Sequence, residues 1–470
     1  MFDYTATYTD LYQITMSQVY FHKGLQNETA IFDYFFRKLP FEGGYAIFAG
    51  LEDFLKTLET LVFDEKDLKF LQSQGMDQAF LDYLKGFRFR GNIYASKEGD
   101  LMFPNRPVLT VEAPIIETQL IETLLLNILN YQSLIATKAS RMRLAARDRK
   151  LVDFGLRRAP GTGGYSAARA AFIGGFDATS NVRAGRDYGI PVSGTMAHSF
   201  IQRYDTEIRA FRDFAKVRPH DCVLLVDTYN TLKSGVPNAI IVGKEMEKTG
   251  NRLKGIRLDS GDLAWLARES RKMLDDAGLD YVKIAASNQL DEKVIESLLN
   301  QNAPIDLFGV GTNLVTGQPD GALDGVYKLA YANKEPRLKL SESIEKINLP
   351  GKKQVYRLLH PDGLFYGGEA VALTDETHFD TMHHPIDLHK SLPLGGFSKE
   401  PLLEKIVEKG KRLTAPKKLE EIADFSRRQL NKLPREYKRF ENPHIYKIGL
   451  SATLKEERDR LVKEHKGKTG

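Results

Sequence analysis

At 470 residues, the chain is longer than a single hydrophobic core usually supports, so we expect two or three domains. A hydrophobic fraction of 42% and a charged fraction of 27% are ordinary for folded proteins and exclude a mainly disordered chain. The net charge of +5 is modest, and a single cysteine, Cys222, excludes an internal disulfide.

The N-terminus and the most apolar long segment bear on localisation. The first residues lack the basic region followed by an apolar stretch that marks a signal peptide. The segment 115–139 is interrupted by charged and amide side chains, which is too polar for a bilayer span of about 20 apolar residues. We therefore predict a buried helix there, no membrane partner and a cytoplasmic protein.

Residues 1–145 mix long helical patterns with two strand-like segments, Ala30–Lys38 and Gly91–Glu98. Two further strand-like segments, Gln354–Leu359 and Gly367–Leu373, lie much later in the chain. The pattern predicts an α+β N-terminal domain over 1–145 that is completed by strands from about 331–400.

The middle of the chain, residues 146–330, alternates short apolar runs with amphipathic helical patterns. This alternation is typical of parallel βα units and predicts an α/β catalytic domain. Asp291 is a plausible N-cap for one helix, and Gly278 stands where another should end. The predicted strands are Lys150–Phe154, Ile190–Thr195, Cys222–Val226, Gly255–Leu258, Tyr281–Ala285 and Ile305–Val310.

A polar or glycine-rich cluster follows each of these strands. Parallel strands bring their carboxyl ends to one face, where the active sites of barrels and open sheets lie. We therefore expect the functional site among residues 155–158, 196–198, 227–228, 259–262, 287–288 and 309–313.

The last segment, 401–470, is basic, with 19 Lys and Arg against 11 Asp and Glu. Such a segment can bind nucleic acid. Its cations alternate with acids, however, and apolar residues recur at helical spacing, so a solvated amphipathic helix is favoured. We predict a helical C-terminal extension and no nucleic-acid partner; the apolar positions are Leu419, Ile422, Phe425 and Leu430.

Arg257 and Asp259 stand two residues apart on one predicted strand and therefore share a face. The guanidinium can bind a carboxylate or phosphate, and the carboxylate can accept ribose hydroxyls or help to bind Mg²⁺. The structural alternative is an ion pair between the two residues, with Asp262 as a helix N-cap.

Three further features suit ligand binding. His198 ends a run of small residues, so its ring can reach a phosphoryl donor. Phe154 precedes Gly155 and can stack a flat ring. Gly311 and Thr312 can approach a phosphate closely. Each has a structural alternative: a core histidine, core packing and a tight turn, respectively.

Four histidines fall within twelve residues, but their spacing matches no zinc pattern. We predict no metal site formed by protein side chains alone. The histidines are His378, His383, His384 and His389.

Taken together, six ordered segments spread over nearly the whole chain resemble nicotinate phosphoribosyltransferase. They are Thr9–Gln13, Asp153–Arg158, Gly194–Ser199, Leu225–Tyr229, Arg257–Asp262 and Phe308–Thr312. The resemblance implies a type II phosphoribosyltransferase fold, which is an irregular α/β barrel beside an α+β domain. It also implies a homodimer with shared active sites, Mg²⁺ bound through the substrate pyrophosphate, and ATP as co-substrate.

The resemblance further implies the reaction and the site residues. Nicotinate would receive a phosphoribosyl group from 5-phosphoribosyl 1-pyrophosphate for NAD biosynthesis, while ATP phosphorylates His198. Phe154 and the partner subunit's Tyr12 would stack on the pyridine, with Thr195 nearby. The catalytic set would be His198, Asp259 and Arg257, and the remaining substrate-binding positions would be Arg157, Ser180, Asp227, Asn288, Gly311 and Thr312.

Other functions remain open at this stage. The nicotinamide-using relative has an acidic residue where Ser180 stands here, and a neutral residue avoids repelling a carboxylate. Type I phosphoribosyltransferases need paired acids where this chain has Asp227 followed by Thr228. Quinolinate-using relatives need no phosphohistidine, and a catalytically silent regulator is the alternative from another class.

Overall fold

The computed structural model describes residues 4–340, 348–376, 378–387 and 389–469. The chain forms two compact units. One comprises residues 1–137 together with 322–470, and the other comprises residues 138–321.

The largest sheet of the first unit has seven antiparallel strands, and strands from distant parts of the chain form it. Thr29–Phe36, in the middle of the sheet, is buried on both faces after its first residue. Aromatic residues such as Phe32, Tyr34 and Phe36 make this strand part of the main hydrophobic cluster. In sheet order the strands are Glu335–Pro336, Gly325–Ala332, Thr29–Phe36, Leu109–Pro114, Asn92–Ala95, Glu404–Glu408 and Lys411–Arg412.

A six-stranded sheet belongs to the same unit. Its strands, in order, are Ser391–Pro393, Thr381–His383, Lys447–Leu450, Phe365–Leu373, Lys353–Leu359 and Ser398–Pro401. A short pair, Ala46–Ile47 with Leu101–Met102, completes the strands. The α-helices that begin in the first unit are Leu11–His22, Leu51–Thr60, Glu65–Ser73, Gln78–Lys85, Ile115–Leu120, Glu122–Ala146, Leu419–Lys432 and Ala452–Thr469, with 3₁₀ turns Pro40–Glu42 and Arg435–Lys438; residues 138–146 of the longest helix belong to the second unit.

The second unit is built on six parallel strands that form a curled sheet. Their apolar side chains, such as Leu151, Ile256 and Phe308, are fully buried, as expected for a sheet that is covered on both faces. The order is Ala178–Thr179, Lys150–Asp153, Leu307–Val310, Lys283–Ser287, Gly255–Leu258 and Val223–Leu225. The predicted class, an irregular α/β barrel with an α+β N-terminal domain, is confirmed.

Helices connect these parallel strands. Leu263–Asp276 and Glu292–Asn300 form as predicted, with Gly278 at φ +65° after the first and the Asp291 side chain accepting from Val294 N–H before the second. The other helices are Gly163–Ile173, Val182–Tyr188, His198–Gln202, Glu207–Val217, Val236–Lys248 and Thr312–Val315, with a 3₁₀ turn Leu156–Arg158 and a π-helix Thr231–Gly235.

The predicted strand Ile190–Thr195 is wrong. Only a single parallel bridge, Thr179 to Val192, forms in this segment. Pro191 has no N–H to donate and Gly194 has no side chain to pack, so the run of small residues lacks what a full ladder needs. Ala178–Thr179 occupies the edge of the sheet instead.

The basic segment 401–470 contains the predicted amphipathic helix, Leu419–Lys432, with Leu419 and Ile422 buried. It also contributes strands, which the sequence analysis did not anticipate. Glu404–Glu408 and Lys447–Leu450 join two different sheets of the first unit. The first of these is rich in charged residues, as strands near the edge of a sheet often are.

Burial also decides the state of two further features. Cys222 is fully buried, and this burial raises the pKa of its thiol to about 12, so the residue is inert at neutral pH. The predicted helix within 115–139 forms as Ile115–Leu120 and Glu122–Ala146. Across the described ranges, no helix is long and apolar enough to cross a bilayer.

Candidate active site

The carboxyl ends of the six parallel strands gather polar side chains at one edge of the second unit's sheet. Asp227 follows Val223–Leu225, Asp259 follows Gly255–Leu258, and Asn288 follows Lys283–Ser287. At the other side of the sheet, Phe154 follows Lys150–Asp153 and Gly311 follows Leu307–Val310. The predicted clusters therefore share one edge.

Two neighbouring carboxylates are held by hydrogen bonds from the chain itself. The Asp227 side chain is only 2% exposed, and its Oδ2 accepts the Asp259 N–H at 2.8 Å and the Ser260 hydroxyl at 2.6 Å. Asp259 Oδ1 accepts a hydrogen bond from the Ser287 hydroxyl. Each carboxylate thus has one oxygen engaged and one directed elsewhere.

His198 lies beside both carboxylates, at the first position of the short helix His198–Gln202. Its Nε2 is 3.6 Å from Asp259 Oδ2 and 4.0 Å from Asp227 Oδ1, while Nδ1 is 3.1 Å from Thr228 Oγ1. In the tautomer with the proton on Nε2, that proton faces the carboxylate oxygens and the lone pair lies on Nδ1. The side chain is 39% exposed and can meet a substrate.

Arg257 does not pair directly with Asp259, which contradicts the ion-pair alternative. Its guanidinium donates to Thr195 Oγ1 at 3.1 Å and to the Met196 carbonyl at 3.0 Å. Burial lowers the pKa of Arg257, a shift that the charges of Asp259 and Asp227 oppose and that of Arg157 reinforces. The second half of the alternative is confirmed, because Asp262 caps the next helix.

These contacts connect Arg257 to His198 through the backbone. The segment that Arg257 binds, Thr195–Met196, ends two residues before His198. A rigid guanidinium that donates two hydrogen bonds to one segment holds that segment more firmly than a single hydrogen bond would. Arg257 therefore helps to hold the loop that carries His198.

Phe154 packs against a glycine of the neighbouring strand. A Cβ added at Gly309 would lie 2.3 Å from the Phe154 ring, so only glycine fits there. Before it, the buried Asp153 accepts the Gly155 N–H at 2.7 Å and the Thr179 hydroxyl at 2.8 Å. Burial raises the pKa of Asp153, although both donors oppose the shift.

The remaining predicted positions of the second unit also lie at this edge. Ser180 is half-buried and donates its N–H to the Asp153 carbonyl at 2.8 Å. Thr312, also half-buried, opens a short helix after Gly311. Arg157 is exposed, and Asn288 is exposed with φ +84°, an unusual conformation for a residue other than glycine.

Tyr12 belongs to the first unit, where it lies on the helix Leu11–His22 and is 50% exposed. Burial of part of its ring raises the pKa of its hydroxyl, with a further contribution from Glu122. An exposed tyrosine suits contact with another molecule.

Sequence reasoning missed three hydroxyl residues that contact the site: Thr228, Ser260 and Ser287. Two of them stood in the quoted motifs, and Ser287 begins a predicted cluster, but a sequence does not say which carboxylate a hydroxyl contacts. The histidine cluster shows no ligand geometry: in the described ranges, no group of three or more His, Cys, Asp or Glu residues can hold a metal ion. His384 Nδ1 instead accepts from the backbone of Ile386 and Asp387.

Comparison with known proteins gives consistent matches over nearly the whole chain. Models of the nicotinate phosphoribosyltransferase N-terminal domain, family and C-terminal domain match residues 7–130, 149–361 and 352–458. Nicotinate phosphoribosyltransferase of Bacillus subtilis (strain 168) is 45% identical over 461 residues, which cover 96% of this chain and 93% of that protein.

Two solved structures have the same architecture. The crystal structure of human nicotinic acid phosphoribosyltransferase is 31% identical with a TM-score of 0.87, covering 96% of this chain and 99% of that one. Nicotinate-nucleotide pyrophosphorylase from Pyrococcus furiosus is 26% identical with a TM-score of 0.72, covering 91% and 95% respectively.

Proposed function

This chain belongs to the nicotinate phosphoribosyltransferase family, and we propose that it transfers the phosphoribosyl group of 5-phosphoribosyl 1-pyrophosphate to nicotinate. The products are nicotinate mononucleotide and pyrophosphate, in a step of NAD biosynthesis. The observation that carries the proposal is the position of His198, between the Thr228 hydroxyl and the carboxylates of Asp227 and Asp259.

In the transfer step, the ring nitrogen of nicotinate forms a bond to ribose C1 while the bond from C1 to the pyrophosphate oxygen breaks. The pyrophosphate leaves with the bonding electrons, and cationic donors stabilise its charge. Arg157 and Arg257 lie close enough to interact electrostatically, which suits them to bind anionic groups of the substrates. Thr195 lies next to the pyridine ring, and Phe154 stacks on it. The carboxylate of nicotinate lies near Ser180.

The phosphate and ribose occupy the neighbouring strand ends. Gly311 and Thr312 bind the 5′-phosphate, because glycine allows close backbone approach and the hydroxyl donates. Asn288 lies on the adjacent strand end, where its left-handed backbone turns the chain. Asp227 and Asp259 face the ribose and the pyrophosphate.

ATP drives the cycle through His198. The lone pair on Nδ1 forms a bond to the γ-phosphorus of ATP, the bond to the β–γ bridging oxygen breaks, and ADP leaves. Water later attacks the same phosphorus and releases phosphate and free His198. The carboxylates near Nε2 balance the positive charge that the ring gains in the first step.

Mg²⁺ fits this site as a partner of the substrate pyrophosphate. Asp227 Oδ1 is a buried acceptor that makes no hydrogen bond in the described part of the chain, and Asp259 Oδ2 also faces His198. Mg²⁺ usually binds one or two carboxylates together with phosphate oxygens and water. When bound, it supplies stabilisation of the charge on the leaving group.

The active unit is a homodimer in which each site takes Tyr12 from the partner. The half-exposed ring of Tyr12, in the first unit, supports this arrangement, and so does the exposure of Leu11 beside it. Phe154 and the partner subunit's Tyr12 then enclose the pyridine from its two faces.

A competition between pyridines tests the reaction. With ribose donor, ATP and Mg²⁺ supplied, we expect kcat/KM to be larger for nicotinate than for nicotinamide. Ser180→Asp should lower the value for nicotinate roughly tenfold, because a second negative charge repels its carboxylate. Faster turnover of nicotinamide by the unsubstituted protein would contradict nicotinate as the substrate. If neither pyridine gave a mononucleotide, the result would support a silent regulator.

A further inference from the structure

Ser287 is a buried serine whose hydroxyl contacts one predicted site residue, Asp259. It ends the strand Lys283–Ser287, is 4% exposed, and donates to Asp259 Oδ1. Ser260, which is exposed, donates in the same way to Asp227 Oδ2 at 2.6 Å. One serine hydroxyl therefore fixes one oxygen of each carboxylate next to His198.

The other oxygen of each carboxylate faces the imidazole. Asp259 Oδ2 lies 3.6 Å from His198 Nε2, and Asp227 Oδ1 lies 4.0 Å from it. Rotation of an aspartate carboxyl group about its last bond is soft, so its oxygens need a partner to stay in place. The two serine hydroxyls supply this restraint, as supporting shells do in other active sites.

The two aspartates differ in how many donors hold them. Asp227 Oδ2 also accepts the Asp259 N–H at 2.8 Å, so it keeps one donor if the Ser260 hydroxyl is lost. For Asp259 Oδ1, the Ser287 hydroxyl is the donor found among the described residues. Removing Ser287 should therefore release Asp259 more completely than removing Ser260 releases Asp227.

We propose that Ser287 is a positioning residue for the reaction at His198, and that it acts by holding Asp259 Oδ2 next to Nε2. Ser260 has the same role toward Asp227 with a smaller effect. This inference rests on the proposed function, because it assumes that His198 is the group that reacts. Ser287 itself touches no reacting atom, so its loss changes rates and leaves the affinities for ATP and nicotinate almost unchanged.

Single-turnover phosphorylation of His198 by γ-labelled ATP tests the inference, with KM for ATP and nicotinate measured alongside. Ser287→Ala should slow phosphorylation on the order of 10- to 100-fold, since small misplacements of catalytic groups cost this much. Both KM values should stay within about threefold. Ser260→Ala should have a smaller effect, and Ser287→Thr, which keeps the hydroxyl, should recover most of the rate.

Ser270→Ala is the matched control. Ser270 is fully buried in the same unit, and its hydroxyl has no hydrogen-bond partner in the described part of the chain. Its loss should leave the phosphorylation rate unchanged. Thermal unfolding of all variants distinguishes a folding defect from a rate effect.

A double-mutant cycle with Asp259→Asn tests whether Ser287 acts through Asp259. If Ser287 acts through Asp259, Ser287→Ala should slow the Asp259→Asn protein by less than about twofold. An undiminished effect in that background, or a normal rate in Ser287→Ala alone, would overturn the inference and leave the proposed function standing. An unsubstituted protein that forms neither phosphohistidine nor nicotinate mononucleotide would overturn the proposed function itself.

Discussion

The two nitrogens of His198 face chemically different groups, and this difference determines what the side chain can do. Nε2 faces carboxylate oxygens of Asp227 and Asp259, while Nδ1 faces the Thr228 hydroxyl. An imidazole whose proton is held on one nitrogen is a nucleophile at the other. The 39% exposure of the side chain leaves room for a phosphoryl donor.

Phe154 provides the test of ring stacking. Phe154→Leu keeps an apolar side chain beside Gly309 but removes the aromatic face. Stacking contributes about 1.4 kcal/mol, so steady-state kinetics should show a roughly tenfold higher KM for nicotinate and a smaller change in kcat. Phe172→Leu, a half-buried phenylalanine on the helix Gly163–Ile173, is the control. Equal KM values in Phe154→Leu and the unsubstituted protein would remove Phe154 from the pyridine site.

At the residue scale, sequence identified which side chains stand at the strand ends, because motif order and strand periodicity are local. It did not identify their partners. Arg257 was expected to pair with Asp259 or with a ligand, yet it binds Thr195 and the Met196 carbonyl. Such contacts depend on the path of a loop 61 or 62 residues away, which no local pattern records.

At the element scale, the helix that begins at Glu292 has a buried ion cluster at its start. Glu292 lies 2.5 Å from Lys138 Nζ and 2.9 Å from Arg141 Nε, and all three side chains are buried. Burial raises the pKa of Glu292, but the two cations outweigh burial and hold this pKa below its ordinary value of 4.5. The helix follows the Asn288 turn directly, so the cluster supports one side of the site.

Glu292→Gln should lower the free energy of unfolding by about 3 kcal/mol at pH 7, because it removes the negative charge that Lys138 and Arg141 share within a buried ion cluster. The folded-state pKa of Glu292 lies below its unfolded value, so the ion cluster contributes fully above pH 4.5 and loses its contribution as the pH falls further. Urea unfolding at pH 7 and pH 4 should therefore show a smaller loss of stability on acidification in Glu292→Gln. Glu296→Gln, at an exposed position of the same helix, should match the unsubstituted protein; if both variants behave alike, the cluster does not stabilise the fold.

The elements themselves were predictable where hydrophobic periodicity was strong. Gly255–Leu258 has the predicted bounds, and Leu263–Asp276 follows its apolar face. Prediction failed where pairing was non-local: Ile190–Thr195 looks extended but forms one bridge, and Glu404–Glu408 pairs with Asn92–Ala95, more than 300 residues away. Register with so distant a strand is set by tertiary packing.

At the scale of the whole molecule, the chain leaves its first unit, builds the parallel-sheet unit over 138–321, and returns. This organisation separates Tyr12 from the residues at the sheet edge by more than 140 positions in sequence. The proposed shared site combines them through assembly of two subunits, each of which gives its Tyr12 to the sheet edge of the other. The exposed Leu11, Tyr12 and Val19 on one helix are available for that assembly.

Mixing two inactive variants tests shared sites. At a nicotinate concentration well below KM, Tyr12→Ala and His198→Asn should each have little activity alone. After equal mixing and subunit exchange, half of the dimers carry both variants, and one of their two sites is intact, so roughly a quarter of normal activity should return in the product assay. Activity in the mixture that equals the average of the two separate proteins would mean that each subunit works with its own Tyr12 or with none.

Incubation with γ-labelled ATP measures directly whether His198 is phosphorylated. We predict acid-labile, alkali-stable label on the peptide that contains His198, no label in His198→Asn, and loss of the label when nicotinate and the ribose donor are added. Two results would contradict phosphorylation of His198. One is a protein that never carries the label but forms nicotinate mononucleotide at the full ATP-dependent rate. The other is label that persists in His198→Asn.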